Sequence, residues 1–208
     1  RGSGGYGSAF LKSGRAEGFG LRMQDDLNDA ITSLASTGLV DPKRVGVMGW
    51  SYGGYASARA AQRDADKYRC TIAGAGVYDL QLMKQYDKEY LGQFGANYLA
   101  KGAADLDTVS PARNAIGKWA PIMIVHGIRD DRVPIAQART LVGALRGSGK
   151  RQGVDFDFVE QPKNTHNLPY ADVRLEWFNA AQRWLDKFNP AYIATDTDKP
   201  VPIGVLLK

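Results

Sequence analysis

The hexapeptide Gly49-Trp50-Ser51-Tyr52-Gly53-Gly54 stands between an apolar run, 44–49, and an alanine-rich run, 53–63. The first reads as a short strand and the second as a helix. A chain that passes from strand to helix around one serine has little conformational choice. Side chains at Gly49 or Gly53 are expected to collide with neighbouring backbone. Such a turn lifts the serine oxygen above the sheet and aims backbone N–H groups at the helix start towards a developing oxyanion.

The same alternation runs through the chain. Helices are expected at 24–37, 53–63, 135–145 and 173–188, and over 80–100 in two pieces broken near 92–95. Leu27, Ala30, Ile31 and Leu34 fall on one face of the first. Trp177, Phe178, Ala181, Trp184, Leu185 and Phe188 form a wide stripe on the last. Strand candidates are 44–49, 70–76, 121–125 and 154–159, and the tail from Asn189, with its prolines, reads as an extended arm. Strands alternating with helices imply an α/β fold of three layers, α/β/α, around a mainly parallel sheet. Chemistry in such a fold sits on loops at the carboxyl ends of the strands.

Composition removes several other classes. Hydrophobic residues are 44% and charged residues 24% of 208, which suits a soluble globular domain, and no run is long enough to span a bilayer. The net charge of +5 comes from Lys and Arg scattered among Asp and Glu, so it reads as a solvated surface and not a nucleic-acid face. Cys70 is the only cysteine and lies in an apolar run, as a buried small hydrophobe would. A glycine-rich polar run, 1–7, opens the chain in place of a signal peptide.

A serine hydroxyl needs a base to become a nucleophile. Of the two histidines, His126 ends the apolar strand 121–125, and His166 lies in the polar loop Asn164-Thr165-His166-Asn167. G-x-S-x-G in this setting points to an α/β-hydrolase, whose chain order is serine, acid, histidine. His166 comes last and is the better base; His126 reads as structural, hydrogen-bonding near the acid loop. Asp130 and Asp131 both qualify as the acid that orients the imidazole, and one of them could only cap the turn or pair with Arg129 or Arg132. Asp79 is a weaker candidate.

At this level of detail the sequence resembles the prolyl oligopeptidase family of serine peptidases. The likeness rests on the opening Arg1-Gly2-Ser3-Gly4-Gly5-Tyr6-Gly7, the elbow, Ser110-Pro111, His126-Gly127 followed by Asp130 and Val133-Pro134, and the late His166. It implies Ser51 as nucleophile, Asp130 as acid, His166 as base and the Tyr52 N–H as an oxyanion donor. It also implies a substrate pocket at Trp50, Val77, Leu80, Met83 and Val133. No metal or organic cofactor is implied, and the expected substrates are short peptides. Asn167 stands where the family often has glycine. Leu80 and Met83, with Tyr86 nearby, stand where the dipeptidyl-peptidase branch tends to place aromatic side chains.

The family's eight-stranded sheet, the tyrosine of an earlier strand that serves as second oxyanion donor, and the usual β-propeller have no counterpart among four strand candidates. Residues 1–189 are therefore expected to be the C-terminal part of a hydrolase catalytic domain, and 190–208 a C-terminal extension. The partners expected are a missing N-terminal segment or propeller, or a homo-oligomer formed through an exposed sheet edge or the late tail, and the chain alone is expected to be weakly active or inactive. The compartment stays open between cytoplasm and periplasm or secretion. Two other functions compete with the peptidase: a carboxylesterase or acyl hydrolase with the same triad, and a non-catalytic hydrolase-like binding domain.

Overall fold

A computed structural model describes residues 1–16, 18–38, 40–100 and 105–191. The expected extended arm beyond Asn189 lies almost wholly outside the described residues. After helices α1 (Ser8–Ala16) and α2 (Met23–Ser36), four strands alternate with helices: β1 (Gly46–Trp50), α3 (Tyr52–Arg63), β2 (Cys70–Gly74), α4 (Leu80–Ala100), β3 (Ile122–Gly127), α5 (Ala136–Gly147), β4 (Phe156–Gln161) and α6 (Ala171–Phe188). Among the described residues the sheet runs β1-β2-β3-β4, and every pairing is parallel. Sequential parallel neighbours require crossovers, and the helices supply them.

Burial follows the strand period. Ile122 and Ile124 of β3 face Ala58, Ala61, Leu141 and Leu145 of α3 and α5. Met123 and Val125 face the opposite way, onto Trp177, Ala181 and Trp184 of α6. Strands β2 and β3 are buried throughout, as expected for the inner strands of a sheet covered on both faces. The edge strand β1 is more open, with Met48 49% exposed. Cys70 is fully buried in β2, and desolvation pushes its thiol up to about 11.

Two helical faces differ from expectation. In α2, Gln24 and Asn28 turn inward, while Ala30 and Leu34 are exposed and Leu27 and Ile31 are half-buried. Hydrogen bonds decide this: Gln24 Nε2 donates to the Ala56 carbonyl (3.0 Å) and Asn28 Oδ1 accepts from the Tyr68 hydroxyl (3.1 Å). In α6, Phe178 is 56% exposed; a step of about 100° from Trp177 carries it off the buried stripe. The break in α4 is at Gly92, with φ 64° and ψ −155°.

The elbow is tight where the chain crosses from β1 to α3. Ser51 has φ 59° and ψ −118°, a region costly for a residue with a Cβ. Its N–H donates to the Gly74 carbonyl (2.9 Å) and its own carbonyl accepts from Tyr55 (3.0 Å), tying the turn to β2 and to the helix. A Cβ on Gly49 would lie 2.4 Å from Gly53 backbone, and one on Gly54 would lie 2.2 Å from the Gly74 carbonyl oxygen. Gly53 corrects the sequence reading, because a Cβ there meets nothing within 4 Å. The second crowded position is Gly54, where α3 runs against β2. Gly54→Ala should lower stability by at least about 2 kcal/mol by urea denaturation, whereas Gly53→Ala should stay within about 1 kcal/mol of the parent.

Candidate active site

Ser51, Asp130 and His166 come from three strand ends, after β1, β3 and β4, and meet above the sheet. His166 Nδ1–H donates to Asp130 Oδ2 at 2.8 Å, which leaves Nε2 to accept from the Ser51 hydroxyl, also at 2.8 Å. Asp130 has a fully buried side chain, and that of His166 is 15% exposed. The other Asp130 oxygen, Oδ1, accepts the N–H groups of Arg132 (3.0 Å) and Val133 (2.8 Å). One carboxylate thus caps its own turn and presents a lone pair to the imidazole.

The loops that carry Asp130 and His166 are laced together. The Ile128 N–H donates to the Gln161 carbonyl (2.9 Å), and that of Arg129 to the Asn164 carbonyl (3.0 Å). Asn164 is fully buried and its amide donates to Gln161 Oε1 (2.8 Å), while Gln161 Nε2 reaches the Val173 carbonyl (2.8 Å) and Glu176 (2.9 Å) on α6. The loop holding Asp130 therefore cannot shift without disturbing the loop holding His166.

The remaining candidates fall outside this line. Asp131 is exposed, and its carbonyl accepts from the Tyr86 hydroxyl. Asp79 caps α4 through the Leu82 N–H (3.0 Å) and pairs with Arg113 (3.0 Å). His126 is fully buried inside β3; its Nε2–H donates to the Val133 carbonyl at 2.8 Å. Burial lowers its pKa and favours the neutral ring, although Asp130 Oδ2 lies 3.6 Å away. Tyr52 is the first residue of α3, so its N–H belongs to the helix N-terminus beside Ser51.

A cavity of about 170 Å³ opens beside Ser51. Val77, Leu80, Met83 and Val133 of the sequence-predicted pocket line it. Trp50 does not. Its ring packs edge-on against Trp177 of α6 at 5.1 Å, on the far face of the sheet, and its Nε1–H donates to the His166 carbonyl at 2.8 Å. Strand alternation explains this, since Val47 faces α3 and α5 and Trp50 the opposite side. Phe19, Tyr55, Asp87 and Arg132 also line the cavity and went unread in the sequence. Asp87 was findable, because 80, 83 and 87 share a helical face. Phe19 was not: it sits in the irregular segment Gly18–Arg22, which is held by Arg59 on the Gly20 carbonyl (3.2 Å) and Arg63 on the Leu21 carbonyl (3.1 Å). A wider groove of about 750 Å³ near Ile31, Val40 and Pro190 contains none of the three triad candidates.

Comparison with known proteins gives one family. The profile of the prolyl oligopeptidase family (peptidase S9) matches residues 1–190. The chain is 30% identical over 207 residues to the Bacillus subtilis (strain 168) protein named "Uncharacterized peptidase YuxL", covering 90% of this chain and 29% of that protein. It is 31% identical over 196 residues to the Caenorhabditis elegans "Dipeptidyl peptidase family member 6", covering 90% and 26%. The chain thus spans less than a third of the length of these curated relatives. The Pyrococcus horikoshii acylaminoacyl peptidase structure superimposes with a TM-score of 0.75 at 22% identity, over all of this chain and 34% of that one, which shows the α/β-hydrolase fold.

The Trp50 hydrogen bond makes a specific expectation. Trp50→Phe should cost about 1 kcal/mol and speed amide hydrogen exchange in 164–168 while leaving β2 and β3 protected. Unchanged exchange in that loop would remove Trp50 from its support.

Proposed function

The chain belongs to the prolyl oligopeptidase family of serine peptidases, and from that premise we propose that it hydrolyses short peptides through an acyl-enzyme on Ser51. The observation that carries the reading is the continuous hydrogen-bonded line Ser51–His166–Asp130, with both contacts at 2.8 Å. His166 removes the hydroxyl proton as Ser51 attacks the carbonyl, then returns it to the leaving amine. A water attacks the acyl carbonyl as His166 takes its proton, the bond to the Ser51 oxygen breaks, His166 returns the proton to that oxygen, and a carboxylic acid leaves. Asp130 holds the imidazole tautomer and stabilises the imidazolium.

The oxyanion that forms in each half faces the start of α3. We assign the Tyr52 N–H as one donor, supported by its place at the helix N-terminus immediately after Ser51. The substrate side chain enters the cavity lined by Val77, Leu80, Met83 and Val133. Residues 1–189 act in this reading as the C-terminal part of the catalytic domain. A non-catalytic role fits poorly with a serine held in a costly backbone conformation within hydrogen-bond reach of a base.

A fluorophosphonate, which needs an activated serine and no substrate side chain, tests this. The full-length wild-type protein should be labelled on Ser51 and its Ser51→Ala variant should not. Asp130→Asn should slow labelling on the order of 10³–10⁴-fold, by analogy with the serine-protease triad. A folded full-length protein that resists labelling would contradict the reading.

A further inference from the structure

The cavity beside Ser51 has largely apolar walls, but Asp87 and Arg132 also line it. Leu80, Met83 and Asp87 line one side from successive turns of α4, so Asp87 lies about 10 Å along the helix from Leu80. Asp87 is only 1% exposed. Its Oδ1 accepts one hydrogen bond, 3.0 Å, from Nη1 of Arg132, whose side chain is 46% exposed against 2% for the carboxylate. Among the described residues no donor reaches Oδ2. A buried carboxylate calls for more than one contact from a solvated arginine. Burial raises its pKa, and Arg132 only partly offsets that cost.

Resting on the serine-peptidase reading above, we propose that this cavity selects a lysine or arginine side chain on the residue whose carbonyl Ser51 attacks. The aliphatic stem lies along Leu80, Met83 and Val133, and the cationic head takes the open Asp87 oxygen. Arg132, half in water and held by a single contact, yields or shares the carboxylate at little cost, while Asp87 is fixed within α4. A neutral side chain of the same length fills the walls but leaves that oxygen without a donor. An acidic one meets Asp87 with like charge. The substrates are therefore short peptides cleaved after a basic residue.

Three diphenyl phosphonates test this on the full chain, carrying an aminobutyl (lysine-type), a butyl (norleucine-type) or a carboxyethyl (glutamate-type) side chain. The lysine-type compound should label Ser51 at least about tenfold faster than the norleucine-type, and Asp87→Asn should bring that ratio close to one. Faster labelling by the norleucine- or glutamate-type compound, or a lysine preference that survives in Asp87→Asn, would overturn the proposal. Equal slowing by all three in Asp87→Asn, with the ratio intact, would make Asp87 a support for Arg132 and also overturn it. The cavity is read without chemistry by the 13C-methyl resonance of Met83 in the Ser51→Ala chain, titrated with N-acetyl-lysine amide and N-acetyl-norleucine amide. Tighter binding of the lysine compound, lost in Ser51→Ala/Asp87→Asn, supports the proposal even if phosphonates fail to react. Equal binding, or none, overturns it.

Discussion

The hydrogen bond from the Ser51 N–H to the Gly74 carbonyl fixes where the site can be built. It holds the turn at Ser51 against the carboxyl end of β2 while Ser51 keeps a positive φ. That conformation costs on the order of 1–3 kcal/mol and persists only because its surroundings leave no alternative. Gly49 lets the turn fold back on Gly53, and Gly54 lets α3 lie against Gly74. With those contacts in place, Ser51 stands above the sheet at the start of α3, within reach of His166.

The partners of Ser51 depend on a second layer of bonds, between loops. Asp130 and His166 are 36 residues apart, yet the bonds from Ile128 to Gln161 and from Arg129 to Asn164 join their loops. Gln161 extends the tie to α6, and Trp50 extends it to the other face of the sheet through the His166 carbonyl. His166 is thus gripped through its ring by Asp130 and through its backbone by Trp50. The buried His126, its pKa lowered by desolvation, closes the far side of the Asp130 loop through the Val133 carbonyl.

Much of this was legible in the residues because it rests on periodicity and order. Alternating runs place strands and helices, and the order serine, acid, histidine sets the three candidates on loops after three different strands. Resemblance alone separates Asp130 from Asp131 in the sequence; in the structure Asp131 is exposed, whereas Asp130 caps its own turn and meets His166. Trp50 was misread as a pocket residue although strand alternation opposes it to Val47. The burial of Gln24 and Asn28 in place of apolar neighbours depends on acceptors and donors 32 and 40 residues away, which no local pattern reveals. Phe19 reaches the cavity through an irregular turn held by two arginines of α3, and that too is a tertiary fact.

The central claim is that Asp130 holds His166 in the tautomer that leaves Nε2 bare for the Ser51 hydroxyl. Proton NMR of 15N-histidine-labelled protein observes this directly. A far-downfield, exchange-protected proton should appear on His166 Nδ1, survive in Ser51→Ala and vanish in Asp130→Ala. A wild-type ring protonated on Nε2 and bare on Nδ1, or a protected Nδ1 proton that persists without Asp130, would contradict it.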